Sequence, residues 1–105
     1  MAKKGLTYTT NVYGSSRVAR LVGSATFTPG ATGAGPIRVT IGTITVISAK
    51  PGDFANVAPP SVLPAGCITV AEVTANDVVT IYVVNAGASQ TPPTGIWRVV
   101  VDRDE

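Results

Sequence analysis

The sequence predicts an all-β protein that folds as one β-sandwich or jelly-roll-like domain. Val, Ile and Thr dominate the periodic parts of the chain, and no segment shows a long i, i+3, i+4 apolar pattern with helix caps. The 11 glycines and 8 prolines divide the 105 residues into short segments. A chain of this length holds a single core, and two packed sheets give each sheet an apolar partner.

One strand or two are predicted over residues 17–27. Polar Arg20, Ser24 and Thr26 alternate there with small or apolar residues at the odd positions, the pattern of a half-buried strand. Those odd positions hold Ala19, Leu21, Gly23, Ala25 and Phe27. Residues 28–36, TPGATGAGP, are expected to form a long loop, because Gly and Pro favour turns and Pro donates no ladder hydrogen bond.

A change of phase marks residues 37–48. Apolar residues occupy odd positions as far as Ile41, and then Ile44 and Val46 take over at even positions. Because a slip of one residue moves every later side chain to the other face, we expect a β-bulge or tight bend near Gly42.

Residues 49–66 are predicted to be a proline-rich loop. Pro51 and Gly52 suit the centre of a type II turn. The prolines at 59, 60 and 64 keep the segment extended but outside any sheet.

Three more strands are predicted at about 67–74, 78–85 and 96–101, joined by a hairpin at 75–77 and a loop over 86–95. The strand near position 80 is apolar on both faces, since only Thr80 interrupts its run of Val, Ile and Tyr. In a short chain the domain's own core can cover only one face of this strand, so we expect another copy of the protein to cover the second face. The residues expected at this subunit interface are Val78, Thr80, Tyr82 and Val84.

Charge is distributed unevenly along the chain. Residues 1–52 carry six basic residues and no acid, whereas residues 53–105 carry two basic residues against six acids, a net charge of −4. Residues 1–16 are interpreted as a basic, extended arm that precedes a domain over 17–105. A projecting arm of this kind is attracted to acidic protein surfaces, although the two halves of the chain could instead pair within the fold. Nucleic acid is a less favoured partner, because the basic residues are widely spread.

The candidate chemistry is sparse. The chain has no His and a single cysteine, Cys67, which is expected to pack as a small apolar residue. Asp53, Glu72 and Asp77 could converge on a cation, but their settings are typical of turns and of a polar strand position. Trp97 could stack on a sugar, yet its alternation with apolar residues favours the core. No catalytic residue, metal or cofactor is predicted.

No segment approaches a membrane span of roughly 20 apolar residues, and the chain starts without a secretory signal. We therefore expect synthesis in a cytoplasm, and neither a membrane nor a small-molecule substrate as a partner.

Four segments together resemble a small β domain recurrent in tailed-bacteriophage virion proteins. They are GSATFTPGATGAG at 23–35, PGDFANVAPPSVLPAG at 51–66, VTANDVVTIYVVNAG at 73–87 and PPTGIWRVVV at 92–101. The resemblance covers about three quarters of the chain, and its matching positions include Gly52, Asp53 and Asn85. Residues 37–50 depart from the pattern, being longer and richer in Thr and Ile.

The resemblance implies a homotrimeric capsid decoration or cement protein, located on the virion surface, with the major capsid protein as its partner. The expected capsid contacts are Lys3, Lys4, Arg17 and Arg20, because shells commonly present acidic outer surfaces. The alternative is a receptor- or glycan-binding module of a head or tail fibre, for which the loops 28–36 and 86–95 are the candidates.

Overall fold

The structure of the protein, a computed structural model, describes residues 18–104. It is an all-β sandwich, which confirms the predicted fold class. The six strands are β1 (Val18–Phe27), β2 (Ile37–Thr45), β3 (Phe54–Ala58), β4 (Cys67–Ala75), β5 (Val78–Asn85) and β6 (Gly95–Asp104). Within the described residues, no helix is long and apolar enough to cross a membrane.

Two three-stranded antiparallel sheets make up the sandwich. Sheet A has the strand order β1-β6-β3, and sheet B has the order β2-β5-β4. Across the sandwich β1 contacts β2, and β3 contacts β4. Only β4 and β5 are joined as a hairpin within one sheet, so every other connection passes from one sheet to the other.

The core lies between the two central strands. Inward side chains from these strands are fully buried, because each central strand has a neighbour on both sides and a sheet in front of it. They are Val79, Ile81 and Val83 of β5, and Trp97, Val99 and Val101 of β6. Burial of each Val or Ile contributes about 1.5–3 kcal/mol relative to exposure. The predicted core positions of Trp97 and Cys67 are both confirmed.

The predicted bulge in β2 is confirmed. Thr40 pairs with Tyr82 and Gly42 pairs with Ile81, so Ile41 is the extra residue. After the bulge Ile44 and Val46 point inward and are buried. A side chain at Gly42 would collide with the ring of Phe27, which explains why glycine occupies this bend.

The proline-rich segment contains a strand that the sequence analysis missed. β3 pairs with β6 from Phe54 to Ala58 and ends where Pro59 and Pro60 would interrupt the ladder. The predicted turn before it is confirmed: the N–H of Asp53 donates to the carbonyl of Lys50 at 3.0 Å, and Gly52 has a φ of 99°.

The remaining predicted elements match closely. Residues 18–27 form one strand rather than two, and the last strand continues from 101 to Asp104. The predicted arm, residues 1–16, lies outside the described residues.

The two ends of the sandwich carry different loops. Loops 28–36, 59–66 and 86–94 meet at one end, which we call the loop end. Residues 46–53 and the turn at 76–77 lie at the opposite end, where β1 begins and β6 finishes.

Candidate interaction surfaces

The predicted subunit-interface residues share the outward face of β5, the central strand of sheet B. Thr80 is 7% exposed, and Val78, Tyr82 and Val84 are half-buried. The neighbouring strands supply this cover: the hydroxyls of Thr74 and Thr80 lie 2.8 Å apart, and the guanidinium carbon of Arg38 lies 4.2 Å from the centre of the Tyr82 ring. Side chains of β2 and β4 therefore cover much of the outward face of β5.

The most exposed apolar residues on this face belong to β4. Ile68, opposite Val84, is 61% exposed, and Val70, opposite Tyr82, is 38% exposed. These four residues form a continuous surface that we call the sheet B patch. Ile68 and Val70 were not predicted as interface residues, although their alternation with Thr69 and Ala71 places them on the face of Glu72.

A second apolar surface lies on the opposite side of the molecule. On the outward face of sheet A, Phe54 is 75% exposed and Val22 is 69% exposed, while Val100 between them is half-buried. We call these three residues the sheet A patch. Arg98 is exposed on the same face.

Arg20 borders the sheet A patch and is the one predicted capsid contact within the described residues. Its guanidinium donates to both carboxylate oxygens of Asp102, at 3.0 and 3.4 Å. The hydrogen bond and the charge of Asp102 raise the pKa of Arg20, so this cation persists at any physiological pH. The other three predicted contacts, Lys3, Lys4 and Arg17, lie outside the described residues.

The loop end is held together by a buried asparagine. Asn85 is fully buried, and its amide nitrogen donates to the Thr32 hydroxyl at 2.9 Å and to the Ala88 carbonyl at 2.7 Å. Its amide oxygen accepts the N–H of Gly87 at 2.9 Å. Asn85, the last residue of β5, therefore links loops 28–36 and 86–94 into one hydrogen-bonded unit, although Thr32 lies 53 positions away.

Two of the three acids considered as a cation site, Asp53 and Asp77, act as structural anchors. Asp53 accepts the N–H of Lys50 at 2.9 Å and lies 3.5 Å from the Nε of Arg103, while Asp77 accepts the N–H of Ser48 at 2.7 Å. Glu72 is exposed on sheet B. Within residues 18–104, no group of three acidic, His or Cys side chains is arranged to hold a metal ion.

Comparison of the chain with protein-family models, with curated proteins and with solved structures gave no match.

Proposed function

We propose that this chain is a structural protein of a bacteriophage virion, a homotrimer that decorates the outer capsid surface and stabilises the shell. The observation that carries the self-association is the sheet B patch, in which Ile68 and Val70 expose apolar surface beside Tyr82 and Val84. Contiguous exposed apolar surface is typical of protein–protein contacts. The virion setting is supported by the sequence resemblance.

A ring of three copies joins two different regions of neighbouring subunits. The outward face of sheet B offers such a pair: β4 presents Ile68 and Val70 at one margin, and β2 presents Arg38 and Thr40 at the other. In the proposed trimer the β4 margin of one copy packs against the β2 margin of the next, and Tyr82 lies near the three-fold axis. The aliphatic stem of Arg38 contributes apolar contact while its charge stays hydrated.

In this arrangement sheet A faces away from the three-fold axis, so it makes no contact between copies and can contact shell proteins at the periphery of the trimer. On this face Arg20 is paired with Asp102, and Arg98 adds a positive charge near Val22 and Phe54. An acidic shell surface complements that charge, and Lys3, Lys4 and Arg17 add to the attraction.

The trimer is tested by light scattering coupled to size-exclusion chromatography. The unmodified chain should elute with the mass of three chains, and Ile68→Lys should elute as a monomer, because a buried charge without a partner opposes association. Val62→Lys is the matched control, since Val62 is 93% exposed but lies on loop 59–66, away from the patch. A monomeric unmodified chain, or equal masses for the two variants, would contradict the proposed interface.

The capsid role is tested on particles of the phage that encodes the chain. Image reconstructions with and without the protein should differ by trimeric density at symmetry-related positions on the outer shell, and particles lacking it should open at a lower temperature. Density confined to the tail or to fibres would contradict the decoration role.

A receptor- or glycan-binding module is the second candidate, favoured by the hydrogen-bonded unit that Asn85 builds from loops 28–36 and 86–94. Ser89 and Thr91 are exposed there. Trp97 is buried, however, and its indole N–H donates to the carbonyl of Pro93, so it presents no stacking surface. Glycan-array binding that is lost in Ser89→Ala and Thr91→Ala would favour this candidate over decoration.

A further inference from the structure

Strand β1 forms one outer edge of sheet A. Among the described residues, β1 pairs only with β6, so the backbone groups on its other side have no strand partner over ten residues. An unpaired edge of this length is a template for a further strand.

The other three edge strands carry features that oppose strand addition, and β1 does not. β3 is five residues long and is followed by Pro59 and Pro60. β2 is bulged at Gly42, and β4 changes register between Val73 and Ala75. Proteins use such bulges, prolines and short lengths to protect edges, whereas β1 keeps one register with β6 throughout.

The core is also incompletely covered at the side of the sandwich formed by β1 and β2. Leu21 and Phe27 of β1 and Val39 and Ile41 of β2 pack against the core but are only half-buried. A strand added beside β1 would cover part of this apolar surface.

The chain itself supplies a segment of suitable pattern and position. Seventeen residues precede β1, and in residues 6–13, LTYTTNVY, apolar Leu6, Tyr8 and Val12 alternate with polar residues. We propose that the free edge of β1 binds residues 6–13 of the same chain as an antiparallel strand, with residues 14–17 as the connecting turn. Loops of four residues are common in hairpins.

The register that follows from this turn matches the faces of β1. Residue 13 lies opposite Val18, which places Thr9 opposite Val22 and Tyr8 opposite Gly23. Opposite residues share a face of the sheet. Tyr8 therefore lies on the core side, opposite Gly23, and Thr9 lies on the solvent side beside Val22, which is exposed. A connection one residue longer or shorter would turn the apolar residues towards solvent.

The proposal does not depend on the virion role, and it is tested with paired cysteines in the full chain, in a Cys67→Ala background. Thr9→Cys with Val22→Cys places two thiols directly opposite each other, within the span of a disulfide. Thr10→Cys with Val22→Cys is the matched control, because Thr10 belongs to the opposite face. We expect the first pair to oxidise to an intramolecular disulfide, seen as a loss of two hydrogens in the intact mass, at least about tenfold faster than the control. Equal rates, no disulfide in the first pair, or a disulfide between two chains would overturn the proposal.

A second measurement avoids cysteine altogether. Amide hydrogen exchange of β1 should be faster in Thr9→Pro than in Thr9→Ala, by about tenfold at alternate residues, because proline cannot donate to the ladder. Identical exchange of β1 in the two variants would also overturn the proposal.

Discussion

At the scale of single residues, Asn85 shows how one buried polar side chain can organise distant loops. Its amide group is saturated by Thr32, Ala88 and Gly87, none of which is a neighbour in a strand ladder. A buried amide is tolerated only with such partners, since an unsatisfied group costs about 1–3 kcal/mol. The sequence indicated only that Asn85 ends a strand, because its partner Thr32 lies 53 positions away.

Asn85→Ala should lower the free energy of unfolding by about 2–3 kcal/mol, because it leaves the Gly87 N–H and the Ala88 carbonyl without their partner. Asn56→Ala is the control, since Asn56 is exposed on β3. The measurement is urea unfolding followed by Trp97 fluorescence. Equal midpoints for the two variants would show that the network does not stabilise the fold.

At the scale of strands, the sequence predicted features that depend on local pattern and missed those that depend on partners. The bulge at Gly42 followed from the change of phase in β2, and the turn at Gly52 followed from its Pro-Gly pair. β3 was missed because the prolines that follow Ala58 dominate the composition of its segment. The pairing of β3 with β6 is a contact between distant parts of the chain, which no local pattern reports.

The packing of β1 on β2 depends on Gly23. A Cβ atom there would lie 2.7 Å from the Thr45 carbonyl oxygen and 2.8 Å from Cγ2 of Val46. Gly23→Ala should therefore destabilise the protein by about 1–3 kcal/mol through overpacking. Gly30→Ala is the matched control, because a Cβ atom at Gly30 meets no atom within 4 Å. Thermal unfolding curves that coincide for both variants would contradict this close approach.

The bulge in β2 predicts that single-residue deletions in this strand differ in their effect on stability. Removal of Ile41 should leave a folded protein of reduced stability, because Thr40 and Gly42 can then pair as consecutive residues. Removal of Thr45 should be far more damaging, because Ile44 and Val46 then become consecutive residues and cannot both point into the core. Circular dichroism during thermal unfolding compares the two variants. A deletion of Thr45 as stable as the deletion of Ile41 would show that the register is not fixed by the core.

At the scale of the whole molecule, the composition and periodicity of the sequence predicted the all-β sandwich. They did not predict which side chains on its surfaces are exposed. The expected cover of β5 by another copy assumed that its outward side chains are bare, whereas Thr80 is buried by its own sheet. On the outward face of sheet B the most exposed apolar residue is instead Ile68, on the flanking strand β4. Sequence alternation assigns residues to faces, but it does not report how neighbouring strands shield them.

The two proposed contacts should respond differently to salt. Between about 0.05 and 0.5 M NaCl the trimer should persist, because apolar burial is not screened, whereas binding to the shell should weaken severalfold. Light scattering and co-sedimentation with shells measure the two quantities. Shell binding that is insensitive to salt would contradict a role for Arg20 and the basic arm.

The positions of the two apolar patches limit how this molecule can associate. The sheet A and sheet B patches lie on opposite sides of a slab, so copies that joined front to back would form an open stack rather than a ring. An assembly of defined size can therefore use only one of these sides between copies. The other side must meet a different molecule or remain hydrated, and the charges of Arg20, Arg98 and Asp102 on sheet A suit that role.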